Sequence, residues 1–339
     1  MRDLSFLTDH YGSGIARINA IDAPINFVFI TDMHNRMNEY AVAEKIFPGP
    51  DFEYAADHVR SIQYVLDRCP GIQCVISGGD VGNDYDENVE KYLFSLQEIG
   101  DALHNLSVPV YCVIGNHDDG LGVARQKGLD TTEHVCLTAQ LHRIFQRNID
   151  RNTNYFYVDF PGYRFVFLDT TDKLYLKDEN GQYPFGWRLE VSDEQVNWFA
   201  AEACDTQSRI IVFSHSPIHN AGIIGTEGAP LIKPYDDLLN GPKLYHYMKT
   251  NPKVVANIAG HVHYDNVVYD GDFLAITSLC SLPQMWTASC PRREYGTVTE
   301  TAFDVFSIKD DVIYMTRFGA GLDRVAAIER DKYQKDASK

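Results

Sequence analysis

The 339-residue sequence lacks the features of several protein classes. Its seven cysteines are odd in number and form no Cys-x-x-Cys pair, so neither a disulfide framework nor a cysteine metal clamp is indicated. Such cysteine usage favours a reducing compartment. No apolar run approaches the roughly 18 residues of a membrane-spanning helix, and the first residues contain no apolar signal-peptide core. We therefore expect a soluble, cytoplasmic protein with no membrane partner.

Positive charge is also scarce. There are 30 Lys and Arg residues against 47 Asp and Glu residues, which gives a net charge of −17. Because nucleic acids are bound largely through Lys and Arg that neutralise their phosphates, this balance argues against a nucleic-acid partner. A small phosphorylated substrate fits the composition better. The sequence carries no signal for an oligomeric state.

The first half of the chain alternates between strand and helix patterns. Apolar, β-branched runs at 25–32, 72–80 and 108–118 predict strands, and the segments 52–69 and 86–105 have helical spacing. This rhythm is typical of βαβ units with a largely parallel sheet.

The second half has a different pattern. Residues 153–170 predict a hairpin that turns at Pro161-Gly162, and Ser192 is a candidate N-cap for a helix. Buried strands are predicted at 209–217 and 253–263, with a helix near 235–250. Because no repeat or Gly/Ser linker divides the chain, we predict one α/β domain over 1–339. It would contain two packed mixed sheets with helices outside, and the β-rich part at about 265–320 would complete the second sheet. Four irregular stretches are long enough to be functional loops: 119–132, 171–191, 216–234 and 280–300.

Polar residues follow five of the predicted strands. They are Asp32 and His34, Asp80, Asn116 and His117, His215, and His261 and His263. In α/β sheets the carboxyl ends of strands line one crevice where ligands bind, so we expect these side chains to converge.

The spacing of these residues suits a metal cluster. In Asp-x-His and His-x-His, extended backbone points both side chains the same way. The glycines before Asp80, Asn116 and His261 allow a sharp turn with no Cβ in the way. Imidazole nitrogen with Asp and Asn oxygen suits Mn, Fe, Zn or Co rather than soft copper sites.

The ordered series Asp-x-His, Gly-Gly-Asp, Gly-Asn-His-Asp, an isolated His and Gly-His-x-His resembles the calcineurin-like metallophosphoesterase superfamily. The resemblance spans residues 32–263. It implies a four-layer αββα sandwich of two mixed β-sheets flanked by helices.

The resemblance also implies the role of each residue. Asp32, His34 and His263 would bind one metal ion. Asn116, His215 and His261 would bind a second ion, and Asp80 would bridge the two. The ions would be divalent or trivalent transition metals, with Mn, Fe or Zn favoured. His117 would not be a ligand and would act as the general acid.

The implied activity is phosphoester hydrolysis, in which a hydroxide bridging the metals attacks phosphorus. The motif variant favours a phosphodiesterase that acts on a small molecule. The alternatives are a phosphomonoesterase for sugar or nucleotide phosphates, a nuclease, and a non-catalytic binding scaffold on the same fold. Asn83 stands where the related Ser/Thr phosphatases have an orienting Asp, which argues against that branch.

Several other residues are weaker candidates. Asp118 and Asp119 could orient His117, although exposed loop charges are the simpler interpretation. His219 could reach the substrate or be a plain loop residue. The segment 284–296, with Trp286, Arg292 and Arg293, could cover the site or be a surface loop. The motif at 317–324 suggests only a glycine-rich turn.

Overall fold

The structure is a computed structural model of the chain. It describes residues 2–35, 54–82, 89–172, 176–184, 186–218, 238–282 and 293–329. Within these ranges, no helix combines the length and the apolar character needed to cross a bilayer.

Twelve strands are described. They are β1 (Ile25–Ile30), β2 (Cys74–Ser77), β3 (Val110–Cys112), β4 (Phe156–Phe160), β5 (Tyr163–Phe167), β6 (Arg209–Ser214), β7 (Val254–Ala259), β8 (Asn266–Asp270), β9 (Phe273–Thr277), β10 (Ala302–Lys309), β11 (Val312–Gly319) and β12 (Arg324–Ala327). The described α-helices are α1 (Ser5–Thr8), α2 (Gly12–Ile21), α3 (Ala55–Leu66), α4 (Val89–His104), α5 (Leu121–Lys127), α6 (Thr138–Phe145), α7 (Asp193–Trp198) and α8 (Gly241–Thr250).

The strands form two mixed sheets of six strands each. The first has the order β12-β11-β10-β1-β2-β3, and the second has the order β4-β5-β6-β7-β9-β8. The neighbours β1, β2 and β3 are parallel, as are β5, β6, β7 and β9. The carboxyl ends of β1 to β3 therefore share one edge of the first sheet, and those of β6 and β7 share one edge of the second.

The two sheets pack face to face through aromatic side chains. Phe27 on β1 stacks on Phe306 of the same sheet, with ring centroids 5.0 Å apart. It also meets Phe165 on β5 at 5.0 Å and Phe213 on β6 at 5.4 Å. Because successive strand residues point to opposite faces, Val28 points away from this core and packs with residues of the outer helices.

Helices cover the outer face of each sheet. Val59 of α3 and Leu96 of α4 belong to the core against the first sheet. Val196 of α7 and Leu244 of α8 belong to the core against the second. The αββα sandwich predicted from the sequence is confirmed.

Two sequence expectations need correction. Of the strands that the structure describes in the region 265–320, β8 and β9 complete the second sheet. β10 and β11 belong to the first sheet, since β10 pairs with β1. The stretch 119–132, expected to be irregular, contains α5.

The hairpin at Pro161-Gly162 is confirmed, because β4 and β5 pair antiparallel around it. Ser192 is the N-cap of α7, where its Oγ accepts the Gln195 N–H at 3.1 Å.

Candidate metal centre

The polar residues predicted from the strand ends converge between the two sheets. Asp32, His34, Asp80 and His263 form one group of candidate ligands, and Asp80, His215 and His261 form another. Within each group the ligand atoms all lie within 4.8 Å of one another. The side chains arrive from β1 and β2 of the first sheet and from β6 and β7 of the second, so the centre spans the sandwich.

Asp80 is the residue that the two groups share. Its Oδ2 lies 3.1 Å from Nε2 of His215 and 3.9 Å from Nε2 of His34. The other oxygen, Oδ1, accepts the backbone N–H of His117 at 2.8 Å. One carboxylate oxygen therefore faces both groups of candidate ligands, and the second oxygen anchors the segment that carries His117.

The first group is closely packed and buried. Nε2 of His34 lies 3.1 Å from Nε2 of His263, which lies 3.2 Å from Oδ1 of Asp32. Oδ2 of Asp32 accepts the hydroxyl of Thr31 at 2.6 Å and the backbone N–H of His261 at 3.0 Å. Asp32 is thus oriented by its own hydrogen bonds, and its Oδ1 faces the two imidazoles.

The second group includes Asn116. Its Oδ1 lies 3.1 Å from Nε2 of His215, and the rings of His215 and His261 are 5.1 Å apart. On the other side of the His215 ring, Nδ1 donates to the carbonyl oxygen of Gly78 at 2.8 Å. This bond fixes the tautomer of the neutral ring, so that Nε2 carries the lone pair that faces Asn116 and Asp80.

The donor set fits a metal ion. In this tautomer, Nε2 of His215, Oδ1 of Asn116 and Oδ2 of Asp80 are all acceptors, and they converge at about hydrogen-bond distance. Acceptors at this spacing repel one another unless a proton or a metal cation lies among them. Nitrogen and hard oxygen donors suit Mn, Fe or Zn. The residues present therefore fit the pair of ions that the motif series implies.

Burial shapes the protonation of the candidate ligands. It lowers the pKa of His34 to about 3, so that this ring is a neutral donor at physiological pH. For His215 burial acts in the same direction, but the Asp80 carboxylate outweighs it and raises the pKa to about 9, so without a metal ion Nε2 of His215 carries a proton, which a bound ion would displace. Burial raises the pKa of Asp32, yet His263 lowers it more, to about 2. Both carboxylates of the centre are ionised.

The backbone around these ligands is strained. Asp32, His34, Asp80, His261 and His263 all have positive φ, between 42° and 67°. Positive φ is uncommon for residues other than glycine and clusters at functional sites.

The glycines beside the ligands provide the space that the sequence predicted. A Cβ on Gly115 would clash with the backbone nitrogen and Oδ1 of Asp80. A Cβ on Gly260 would clash with the hydroxyl of Thr31. Glycine at 115 lets two loops of the first sheet approach each other closely, and glycine at 260 does the same for loops of the two sheets.

His117 lies beside the centre rather than in either ligand group. Its ring centroid is 5.2 Å from that of His34, and the two rings are nearly perpendicular. Tyr92 donates its hydroxyl to the His117 carbonyl at 2.6 Å. Unlike Asn116 and Asp118 on either side, His117 is partly exposed, so its ring is accessible to a substrate.

Asp118 is a residue whose role sequence reasoning missed. It is fully buried, so the interpretation as an exposed loop charge was wrong. Its carboxylate accepts four backbone N–H groups, those of Gly115 (2.8 Å), Val81 (2.8 Å), Asp80 (3.1 Å) and Gly82 (3.1 Å). Burial and the Asp80 charge raise its pKa to about 7, while the four donors favour its ionised form. Asp118 thus ties the Asp80 loop to the Asn116 loop.

The remaining sequence candidates divide into two sets. Asn83, His219, Trp286 and Arg292 lie outside the described residues. Arg293 is described, and its two terminal nitrogens donate to the carbonyls of Cys280, Ser281, Leu282 and Glu300 at 2.7–2.8 Å. Arg293 therefore joins backbone segments, which accounts for its guanidinium without a substrate. Asp119 is buried, and its Oδ1 accepts the Leu121 N–H at the start of α5.

Comparison with known proteins gives consistent matches. The family model described as calcineurin-like phosphoesterase matches residues 25–265. A protein from Pseudoalteromonas sp. (strain SM9913), described as a probable cyclic nucleotide phosphodiesterase, is 25% identical over 256 residues, which is 72% of this chain and 73% of that protein. The structure of a dimetal phosphatase from Danio rerio has a TM-score of 0.60 and 17% identity, and covers 91% of this chain and 100% of its own. GAP50 of Plasmodium, described as the anchor in the inner membrane complex, has a TM-score of 0.52 and 14% identity, with 91% and 89% covered. At these identities the two structural matches concern the fold.

Proposed function

The chain belongs to the calcineurin-like phosphoesterase family and is a phosphoester hydrolase, and from that premise we propose that it is a dinuclear metal-dependent phosphodiesterase acting on a small molecule. The observation that carries the proposal is the position of Asp80, whose Oδ2 faces both groups of candidate ligands. Asp32, His34 and His263 would hold one ion. Asn116, His215 and His261 would hold the other.

The charge of the centre favours phosphate. Two divalent ions would bring +4 and the carboxylates of Asp32 and Asp80 return −2, so the centre attracts an anion although the chain carries a net charge of −17. Ions bound there would supply Lewis acidity and hydroxide at neutral pH. Hydrogen bonds of Asp80 and Asp118 tie the two ligand-bearing loops to each other, which restricts the movement of the candidate ligands.

His117 would protonate the leaving group. Its backbone N–H is bonded to Asp80 and its carbonyl to Tyr92, so the main chain is fixed on both sides of the ring. The ring stands beside His34 and is partly exposed, which suits a group that transfers a proton to a departing oxygen. General acid catalysis of this type contributes roughly 10²- to 10⁴-fold.

The preference for diesters is supported by the relative described as a probable cyclic nucleotide phosphodiesterase. To test it, purified protein is loaded with Mn²⁺ and assayed on bis(4-nitrophenyl) phosphate and on 4-nitrophenyl phosphate. We expect the diester to be cleaved faster, and EDTA or His215→Ala to abolish both activities. His246→Ala is the matched control, because this histidine is exposed on α8.

Two outcomes would overturn the proposal. Faster cleavage of the monoester would replace the phosphodiesterase with a phosphomonoesterase. Stoichiometric metal binding with no turnover of these esters, of cyclic nucleotides or of glycerophosphodiesters would favour a binding scaffold on this fold.

A further inference from the structure

Three aromatic rings lie in series from the metal centre toward solvent. His117 stands between His34, with ring centroids 5.2 Å apart, and Trp187, with ring centroids 5.6 Å apart. Exposure increases along the series. His34 is 2% exposed, His117 is partly exposed and Trp187 is 38% exposed. The His117 ring therefore has two aromatic neighbours, a buried imidazole of the centre and a more exposed indole.

The indole of Trp187 packs directly against Gly122. A Cβ on Gly122 would clash with Nε1, Cε2 and Cδ1 of the ring, so a larger residue there would displace it. Gly122 lies in the first turn of α5, which begins four residues after His117. A Cβ on Gly186 would lie 3.6 Å from the Cα of Gly122, so the segment that carries Trp187 also packs against this helix. The position of the indole is thus linked to the segment that carries His117.

A fixed and partly exposed indole beside the acid provides binding surface at low entropic cost. Tryptophan has only two side-chain torsions, so little conformational freedom remains to be lost when a ligand packs on it. Its face attracts planar rings, and stacking between a base and an aromatic side chain tolerates any base because each has a π face. If His117 protonates the leaving oxygen, the group attached to that oxygen lies next to Trp187.

We propose that Trp187 is a stacking platform for the nucleobase of a nucleotide-type substrate, on the leaving-group side of His117. The inference rests on the proposed function, because it places the phosphoryl group at the metal centre. It adds a substrate class, phosphodiesters that carry a nucleobase, and a residue that selects them over aliphatic phosphodiesters.

The test uses two ligands that differ only in the base. Inhibition constants of adenosine 5′-monophosphate and ribose 5-phosphate are measured against hydrolysis of bis(4-nitrophenyl) phosphate by the Mn²⁺-loaded enzyme. In Trp187→Ala we expect the constant for the nucleotide to rise about tenfold, and the constant for ribose 5-phosphate to stay within about twofold. Trp187→Phe should keep most of the nucleotide affinity, because it retains an aromatic face. Tyr247→Ala is the control, since this ring is 41% exposed on α8 and belongs to neither the centre nor its surroundings.

Equal changes for both ligands, or none for either, would overturn the platform. A fall in kcat for all substrates with unchanged inhibition constants would instead assign Trp187 to positioning His117.

A second readout does not depend on hydrolysis. Adenosine is titrated into EDTA-treated protein while tryptophan emission is followed, and Trp187→Phe should abolish the quenching. Quenching by adenosine in a protein that hydrolyses none of the esters would contradict the proposed function but support the nucleobase site. Hydrolysis with no preference for ligands that carry a base would support the proposed function and contradict the nucleobase site.

Discussion

The carboxylate of Asp265 and the guanidinium of Arg317 form an ion pair, with Oδ1 2.5 Å from Nη2. Asp265 lies two residues after His263, and Arg317 lies on β11 of the first sheet. Oδ1 of Asp265 also accepts the Leu279 N–H at 2.9 Å. The pair therefore ties the segment that follows a candidate metal ligand to the opposite sheet.

Asp304 on β10 is the buried partner of this arginine. Nε and Nη2 of Arg317 each lie 2.9 Å from one oxygen of Asp304, whose side chain is fully buried. Arg324 pairs with Asp304 as well. Although burial raises the pKa of Asp304, the two guanidinium groups outweigh it and hold that pKa far below its usual range. The 317–324 motif, which had no role beyond a turn in the sequence, supplies both arginines.

We expect Arg317→Met to lower the free energy of unfolding by about 3 kcal/mol, because it leaves Asp304 buried with one of its two cationic partners. Urea unfolding in EDTA measures this without any contribution from metal. Arg151→Met is the matched control, because Arg151 pairs with Glu202 at the surface and should change stability by less than about 1 kcal/mol. Equal effects of the two variants would show that the buried network adds no stability.

Asp118→Asn should loosen both loops of the metal centre. The amide retains the shape of the carboxylate, but its NH₂ group faces backbone N–H groups that need an acceptor. We expect a loss of about 3 kcal/mol in the free energy of unfolding, the upper range for hydrogen bonds to a charged group. We also expect less metal retained after dialysis, measured by elemental analysis. Asp130→Asn, which changes an exposed carboxylate in a local turn, is the control. Full metal retention in Asp118→Asn would contradict the positioning role.

Metal binding should stabilise the folded chain. At Mn²⁺ concentrations about 100-fold above the dissociation constant, each bound ion should raise the free energy of unfolding by about 2.7 kcal/mol. His215→Ala and His263→Ala each remove one member of a different ligand group. Each variant should therefore lose part of the stabilisation by Mn²⁺, and the double variant should lose all of it. Thermal unfolding with and without EDTA measures the shift. A double variant that keeps the full shift would place the stabilising ions elsewhere.

Much of the fold and most of the centre follow from local sequence patterns. Buried strands such as β1 are continuous apolar runs, and the parallel order of β1, β2 and β3 follows from the helices between them. The polar residues at these strand ends meet because carboxyl ends of parallel strands share an edge. Asp32 and Asp80 therefore lie together, and the packing of the two sheets brings His215 beside Asp80.

Other features depend on distant contacts that no local pattern encodes. The pairing of β10 with β1 joins residues 275 to 283 positions apart in the sequence, such as Phe29 with Asp304 and Ile25 with Ile308. The helix α5 is short and is flanked by Gly120 and Gly128, so its glycine content favoured a loop. Asp118 resembles any loop acid until folding brings the N–H groups of Asp80 and Val81, more than 35 residues earlier, around it. The place of Trp187 beside His117 has the same origin.

His117→Gln should slow the cleavage of esters with poor leaving groups much more than the cleavage of esters with good leaving groups. Without a proton donor, phosphodiesters with alkoxide leaving groups should lose roughly 10²- to 10⁴-fold in kcat. Esters of 4-nitrophenol should lose much less, since 4-nitrophenolate departs without a proton. Steady-state rates on both kinds of ester, with metal content checked in each preparation, make the comparison. A uniform loss across leaving groups would remove the acid role from His117.

The ionised carboxylate of Glu300 should stabilise the folded chain at neutral pH. Its side chain is buried, its Oε1 lies 2.5 Å from Nη2 of Arg2 and 3.2 Å from Nε2 of His58, and Gly296 donates its N–H to Oε2 at 2.7 Å. Burial raises the pKa of Glu300, but His58 and Arg2 outweigh it and lower that pKa from 4.5 to about 2. A folded pKa below the unfolded one means that the contribution is complete above pH 4.5 and is lost as the pH falls toward 2.

Glu300→Gln should therefore be less stable than the parent at pH 6, and the difference should narrow as the pH falls below about 4.5. The difference in the free energy of unfolding between the two proteins cannot shrink by more than about 1.4 kcal/mol per pH unit, because only one proton is involved. Urea unfolding in EDTA at pH 6, 5, 4 and 3 measures the difference between the two proteins, so groups that titrate equally in both cancel. Glu133→Gln, at an exposed position, should follow the parent at every pH. A difference between parent and Glu300→Gln that stays constant from pH 6 to pH 3 would mean that the carboxylate is not stabilised by its charge, and that only the shape of the side chain contributes at this position.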